Sequence, residues 1–384
     1  MIYYDNAATT FPKPPSVINE CVNCMTNYCG NPGRSGHRLS IEAAKKIYDC
    51  REIIAQTFGS AYPTNVVFTP NATYALNIAI NAFIKKRCHV LISDIEHNSV
   101  FRTVCHFAEQ GCEYDVFSID PYDTQKTLKS LKSKIKYNTS LIVCNHASNV
   151  CGIHAPIFEI GQICRIYGIK FVVDASQSSG YNHIDIKENN VDALCSAGHK
   201  GLYGPQGTGF VLFSDLYSSK NEIAKLNTFA YGGNGYNSSE KTMPDILPER
   251  FECGTLNTPA IAGLYEGLRF VNMLKADKIR MHTSMLYNKA VDMISSLPGT
   301  KVYYGDIKDS SVLLFNVGGI DNGTVADMLD EQGICVRSGL HCSPLAHKKL
   351  NTNNGGVRLS FSCFNNVSEL ETFYKVLKDI CLNK

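Results

Sequence analysis

The run Asp192-Ala193-Leu194-Cys195-Ser196-Ala197-Gly198-His199-Lys200-Gly201 reads as a short strand leading into a glycine-flanked lysine. Upstream, a second apolar strand, Phe171-Val172-Val173, ends in Asp174-Ala175-Ser176-Gln177. A strand-end lysine and a strand-end acid suit pyridoxal phosphate chemistry. The amine holds the cofactor aldehyde as a Schiff base, and the carboxylate keeps the pyridine nitrogen protonated. Most of the 37 lysines and arginines are expected to be solvated surface charge, so it is the surroundings of Lys200 that single it out.

Other polar residues follow strands in the same way. Thr69-Pro70-Asn71-Ala72-Thr73 joins a strand to a helix, where free N–H groups and the helix dipole suit a phosphate or a plain N-cap. His97, in Asp94-Ile95-Glu96-His97-Asn98, could stack on a ring and move protons, or serve as a hydrogen-bonded structural histidine. The run Gly201 to Gly209 lacks a P-loop ending and reads as a tight turn behind Lys200. Cys342 lies in the loop Arg337-Ser338-Gly339-Leu340-His341-Cys342-Ser343-Pro344, where Arg337 and His341 could stabilise a thiolate. Arg358 falls inside an apolar strand and must meet a carboxylate, either the protein's own or a substrate's. The turn-rich 30–37 loop offers two polar side chains, and Cys21-x-x-Cys24 reads as packed helix cysteines, with no metal expected.

The elements that must position these groups alternate. Strands at 66–68, 89–92, 114–117, 141–144 and 171–174, one ending at Cys195, and one at 209–213 are separated by helices at 71–84, 98–109, 124–134 and 157–167. Buried strands alternating with helices predict an α/β fold with a mainly parallel seven-stranded sheet, its ligand beyond the strands' C-terminal ends. Ser16 and Ser40 are expected to start helices before this sheet. A polar stretch at 227–249 reads as a functional loop, and a smaller α+β C-terminal domain follows, its last helix capped by Ser368-x-x-Glu371. The expected division is an N-terminal arm (1–15), a large cofactor-binding domain (16–257) and a small domain (258–384). Chain length suits two domains, and a net charge of +2 gives no reason to expect nucleic acid or an anionic membrane. The N-terminal residues lack a signal-peptide pattern and no apolar run spans a bilayer. With 16 scattered cysteines, this predicts reduced thiols in a cytoplasmic protein.

Assembled, these residues resemble the cysteine desulfurase/selenocysteine lyase group of the class V aminotransferase superfamily, which has the pyridoxal phosphate-dependent transferase fold (fold type I). The resemblance runs from Tyr4-Asp5-Asn6-Ala7-Ala8-Thr9-Thr10 to the last helix. It is carried by Glu96-His97-Asn98, Ser148-Asn149-Val150-x-Gly152, Val173-Asp174-Ala175-x-Gln177, Gly198-His199-Lys200, Arg250-Phe251-Glu252-x-Gly254-Thr255 and Arg337-x-Gly339-x-His341-Cys342. It implies pyridoxal 5'-phosphate on Lys200, with Asp174 at the pyridinium, His97 stacked on the ring and Gln177 at the phenolic oxygen. Ala72, Thr73 and His199 would hold the phosphate, joined by Thr255 from the partner of a homodimer. Asn149 would stand near the ring and the substrate carboxylate, which Arg358 would clamp with help from the Ala7-Ala8 arm, with Arg337 and His341 close by. Where related chains often read Ser-Gly-His-Lys, this one has Ala197, so other donors or Ser196 must serve the phosphate.

The resemblance implies a cysteine desulfurase that converts L-cysteine to L-alanine and leaves a persulfide on Cys342 for a sulfur-acceptor protein, as in iron–sulfur cluster assembly. Selenocysteine lysis, transamination or β-elimination on the same scaffold, or a non-catalytic sulfur carrier, are the alternatives.

Overall fold

The computed structural model describes residues 1–33 and 36–382. Arg34 and Ser35, in the 30–37 loop, lie outside the described residues. The chain opens with β1 (Ile2–Tyr3), α1 (Pro15–Asn23) and α2 (Arg38–Thr57). Alternation then begins with β2 (Val66–Thr69), α3 (Ala72–Phe83), β3 (His89–Ser93), α4 (Asn98–Glu109), β4 (Glu113–Phe117) and α5 (Thr124–Lys132). It continues through β5 (Thr139–Asn145), α6 (Ile157–Tyr167), β6 (Lys170–Asp174), β7 (Ala193–Ala197) and β8 (Gly209–Phe213).

These strands form one seven-stranded sheet in the order β2-β8-β7-β6-β5-β3-β4. Its two faces are both covered, which is why the strands lack polar alternation. On one face Leu91, Ile142, Phe171 and Val173 pack against Ile47 and Ile54 of α2 and Ile160 of α6. On the other, Val90, Val143, Val172 and Cys195 meet Leu76 and Ile80 of α3 and Val100 of α4. In this sheet β8 alone is reversed, antiparallel to both β2 and β7. No helix separates it from β7, and without a crossover the chain can only turn back. Tyr203 N donates to Lys200 O and Gly204 N to Gly198 O, both at 2.8 Å, so the expected tight turn sits directly behind the lysine.

Residues 227–249 carry no helix or strand. Around them lie α7 (Lys220–Ile223) and α8 (Thr258–Leu274), followed by α9 (Ala276–Ser295), β9 (Thr300–Tyr303), β10 (Val312–Val317) and α10 (Asn322–Glu331). The chain continues through β11 (Ile334–Cys335), β12 (Arg337–Gly339), α11 (Pro344–Leu350), β13 (Gly356–Ser360) and α12 (Val367–Leu382). A four-stranded antiparallel sheet, β12-β13-β10-β9, anchors this C-terminal unit. The N-terminal arm is stitched to it. β1 pairs with β11, and Tyr4 is buried with its ring 5.3 Å from Phe361 and 6.0 Å from Phe373.

Several local expectations shift. Helix α8 begins at 258, yet it buries Ile261, Leu264 and Leu268 in the large core and packs on α1 and α2. The first helix starts at Pro15, whose missing N–H and fixed φ suit the first helical position, rather than being capped by Ser16. It passes into a π-helical turn at Cys24–Tyr28. His37, not Ser40, caps α2, its Nδ1 accepting from Ser40 N at 3.3 Å. The last helix has its reciprocal cap two residues early. Asn366 Oδ1 accepts from Glu369 N and Glu369 Oε2 from Asn366 N, each at 3.1 Å.

Candidate active site

The C-terminal ends of the parallel strands build one rim. Beyond β2, Asn71 caps α3 by accepting from Tyr74 N at 3.0 Å. The N–H groups of Ala72 and Thr73 stay in the first turn, where no intrahelical acceptor exists. Gly209 allows this helix start to sit close, since a Cβ there would lie 2.6 Å from the Asn71 carbonyl carbon.

Beyond β3, His97 is both a cap and a wall of the site. Its Nδ1 accepts from Ser99 N at 3.1 Å, which leaves the ring proton on Nε2. Burial, then the neighbouring Lys200 charge, push His97 down to about 4, so the ring is neutral at physiological pH. Glu96, which the sequence reading gave no role, lies fully buried beneath it. Its Oε1 accepts from Asn145 N at 2.7 Å and from Ser93 Oγ at 2.5 Å. Burial pushes this carboxyl up to about 8, so it holds a proton near neutral pH. The signal was available: a glutamate directly after an apolar strand and before the rim histidine.

Asp174 ends β6, and both hydrogen bonds to its carboxylate fall on Oδ1, from Ser176 N at 2.9 Å and Ser176 Oγ at 2.5 Å. Its charge works on Lys200 beyond β7. Burial lowers the Lys200 amine to about 8, with Asp174 opposing and Arg358 and Arg337 adding to the fall. His199 O accepts from Thr10 N at 3.1 Å and Lys13 Nζ at 2.8 Å, so the arm braces this turn. Gln177 Nε2 donates to Ala7 O at 2.9 Å, and Ala7 N donates to Ser360 Oγ at 2.8 Å. Ala8 N is held at 3.0 Å by Asp5 O. Ser196 is buried and donates to Ser179 Oγ at 2.8 Å, so it does not take the place of the serine missing at Ala197.

Arg358 meets a carboxylate from its own chain. Its Nη2 donates to Asp5 Oδ1 at 2.6 Å and its Nη1 to Asn149 O at 3.0 Å, while Nε has no partner among the described residues. Because Arg358 is almost wholly buried, Asp5→Ala should leave an uncompensated charge and destabilise the fold by about 3 kcal/mol. Urea titration of the two proteins checks this; equal midpoints would contradict it.

The thiol of Cys342 is exposed between two buried residues, His341 and Ser343. His341 and Cys342 both hold left-handed backbone, at φ 50° and 56°, a conformation that persists where its surroundings fix it. Cys342 O accepts from Asn98 N at 2.7 Å, tying the loop to the residue after His97. Thr73, His97, Arg102 and Cys342 thereby line one cavity of about 680 Å³. His341 departs from its expected role. Its Nε2 bonds Arg337 O and its Nδ1 bonds His347 Nε2, both at 3.2 Å, and burial drives its pKa far down. It is a neutral brace inside the loop, not a source of positive charge for the thiol. Arg337, half-buried on β12 opposite Arg358, keeps that capacity.

Thr255 is exposed and lines a separate cavity of about 410 Å³ with Thr69 and Tyr74. Its loop is fastened by Glu252, which accepts from Phe68 N at 2.7 Å and Arg51 Nη2 at 2.6 Å.

The donor set fits pyridoxal phosphate. His199 Nδ1 is buried without a partner among the described residues, the α3 start presents free N–H groups, and a buried acid stands by a depressed lysine.

Comparison with known proteins gives the family. The aminotransferase class-V family profile matches residues 2–373. A probable cysteine desulfurase of Methanothermobacter thermautotrophicus is 31% identical over 99% of this chain and 94% of its own length. One from Pyrococcus abyssi is also 31% identical, over the same shares. The apo structure of the Thermococcus onnurineus cysteine desulfurase superposes with a TM-score of 0.89 at 29% identity, covering 100% of this chain and 95% of that one. A profile match over nearly the full length places this chain in the class-V aminotransferase family.

Proposed function

We propose that this protein is a pyridoxal phosphate-dependent cysteine desulfurase that moves the sulfur of L-cysteine onto Cys342. The observation that carries this reading is an exposed thiol, on a fixed left-handed turn, in the same cavity as His97 and Thr73. Bound to Lys200, the cofactor would supply an electron sink for the substrate Cα. Asp174 would pair with its ring nitrogen, Gln177 with its phenolic oxygen, and His97 would cover its ring. Ala72, Thr73 and His199 would hold its phosphate.

Arg358 would orient the substrate carboxylate, with Asp5 keeping the guanidinium in place. The released Lys200 Nζ would take the Cα proton. Cys342 Sγ attacks the substrate sulfur, the carbon–sulfur bond breaks, and the electrons return to the substrate carbon skeleton. One cysteine and the Cys342 thiol thus yield one alanine and a Cys342 persulfide, with every hydrogen accounted for. His97 Nε2, which carries the ring proton, is placed to hold a proton near the sulfur.

The persulfide sulfur would pass to an acceptor thiol, such as that of an iron–sulfur assembly protein. A reducing, cytoplasmic setting suits the buried thiols of Cys50, Cys144 and Cys195. A homodimer belongs to the same reading: Thr255 is exposed, and exposed Tyr74 and Phe229 flank it in one cavity, as a phosphate ligand offered to a partner subunit would require.

Purified protein with L-cysteine and a thiol reductant should release alanine and sulfide in equal amounts. Formation of pyruvate without alanine would overturn the proposal. The amine of Lys200 adds a pH test, since only a neutral amine captures an aldehyde. Its value of about 8, against an ordinary 10.5, means the neutral fraction rises through pH 8. Cofactor uptake by the apoprotein, followed by absorbance, should accelerate across that range and level off above it. A midpoint near the ordinary lysine value would contradict the burial argument.

A further inference from the structure

Asn149 is expected, from the family resemblance, to serve the cofactor ring and the substrate. Its side chain is instead engaged elsewhere, through one N–H and one oxygen lone pair. Nδ2 donates to His341 O at 2.7 Å, and Oδ1 accepts from Ser343 Oγ at 2.7 Å. These two partners flank Cys342 on either side. Asn149 is only 6% exposed, and Ser343 and His341 are buried too, so both bonds are shielded from water. The backbone of Asn149 faces the other way, its carbonyl accepting from Arg358 Nη1.

We infer that Asn149 is a positioning residue for the nucleophile: its amide clamps the loop on both sides of Cys342 and aims the exposed thiol at the substrate sulfur. The inference rests on the desulfurase reading, in which Cys342 is the nucleophile. Two successive non-glycine residues in left-handed backbone, His341 and Cys342, need outside bonds to stay there. The clamp supplies one on each side, and Asn98 N supplies a third at Cys342 O. The loop itself is stiffened from below by the chain from Thr352 Oγ1 to His347 and on to His341. Asn149 therefore links the residue proposed to read the substrate carboxylate to the loop that delivers the thiol. Arg358 is held by the backbone oxygen of Asn149, which a side-chain substitution leaves in place.

The test compares Asn149→Ala, Ser343→Ala and the double variant. In the apoprotein, iodoacetamide alkylation of the Cys342 peptide, followed by mass spectrometry, should quicken by at least about fivefold in Asn149→Ala, which loses both bonds of the clamp, a single lost hydrogen bond being worth about that much. Ser343→Ala, which breaks one arm only, should quicken it less. The double variant should match Asn149→Ala, since both act on one clamp. In the loaded enzyme, kcat for sulfide release should fall about tenfold with KM for cysteine nearly unchanged, the pattern of a lost transition-state alignment. L-alanine affinity, read from the cofactor spectrum, should hold. Unchanged alkylation together with weakened alanine binding would overturn the inference and return the amide to the ligand. If Asn149→Ala does not fold, Ser343→Ala alone decides by the same alkylation readout. Wild-type protein that made no alanine and sulfide would instead sink the desulfurase reading, and the alkylation result would stand apart from it.

Discussion

Cys342→Ala is expected to lower alanine and sulfide formation by at least about a thousandfold while the cofactor's yellow colour is retained. The size of the effect follows from what the thiol would do. Sulfur–carbon cleavage needs an acceptor for the sulfur, and the sulfur of Cys342 is the exposed one on the cavity shared by His97 and Thr73. Other cysteines are poorly suited to replace it. Cys144, Cys151 and Cys195 are buried, and burial pushes their thiols well up, away from the reactive thiolate. The substitution takes away one exposed side chain and leaves the clamp through His341 O and Ser343 intact, so folding should be unaffected. Full sulfide release from this variant would show that Cys342 is not the nucleophile.

Lys200→Ala should be more severe, since it removes two functions at once. The amine is the covalent anchor in the proposed reading and the base that takes the Cα proton, and losing proton transfer alone is worth about 10²–10⁴-fold. The protein should bind pyridoxal phosphate only reversibly, and borohydride should no longer fix it to the chain. Burial has already lowered the amine to about 8, so removing it also removes a charge that is uncomfortable in the site. A borohydride-stable, yellow Lys200→Ala protein would contradict the assignment.

Much of this arrangement is legible along the chain, because it is written in short-range patterns. Two-sided burial makes β3, β5 and β6 continuous apolar runs, and the residues that follow them, His97, Asn149 and Asp174, inherit a common rim. Asn71 signals the start of α3 by its type and place. What escapes the sequence depends on contacts between distant segments. Asp5 and Arg358 are 353 positions apart, and a buried arginine announces only that some carboxylate must come, not which. The Asn149 amide looks like a ligand group until His341 and Ser343, close to 200 positions on, occupy both of its atoms. His341 beside a cysteine suggests a cation, and only its burial and its bond to His347 show it to be neutral. Helix α8 carries apolar residues that would suit either unit, and its place on α1 and α2 is a tertiary choice. The reversal of β8 follows from the lack of a helix before it, a cue present at 198–208 but easily passed over when six other strands agree.

The most direct test of the account is the mass of the Cys342 peptide after the loaded protein meets L-cysteine without reductant. One added sulfur is expected on that peptide, removed by a thiol reductant, with one alanine formed for each sulfur bound. Alanine and sulfide appearing while that peptide stays unmodified would contradict it.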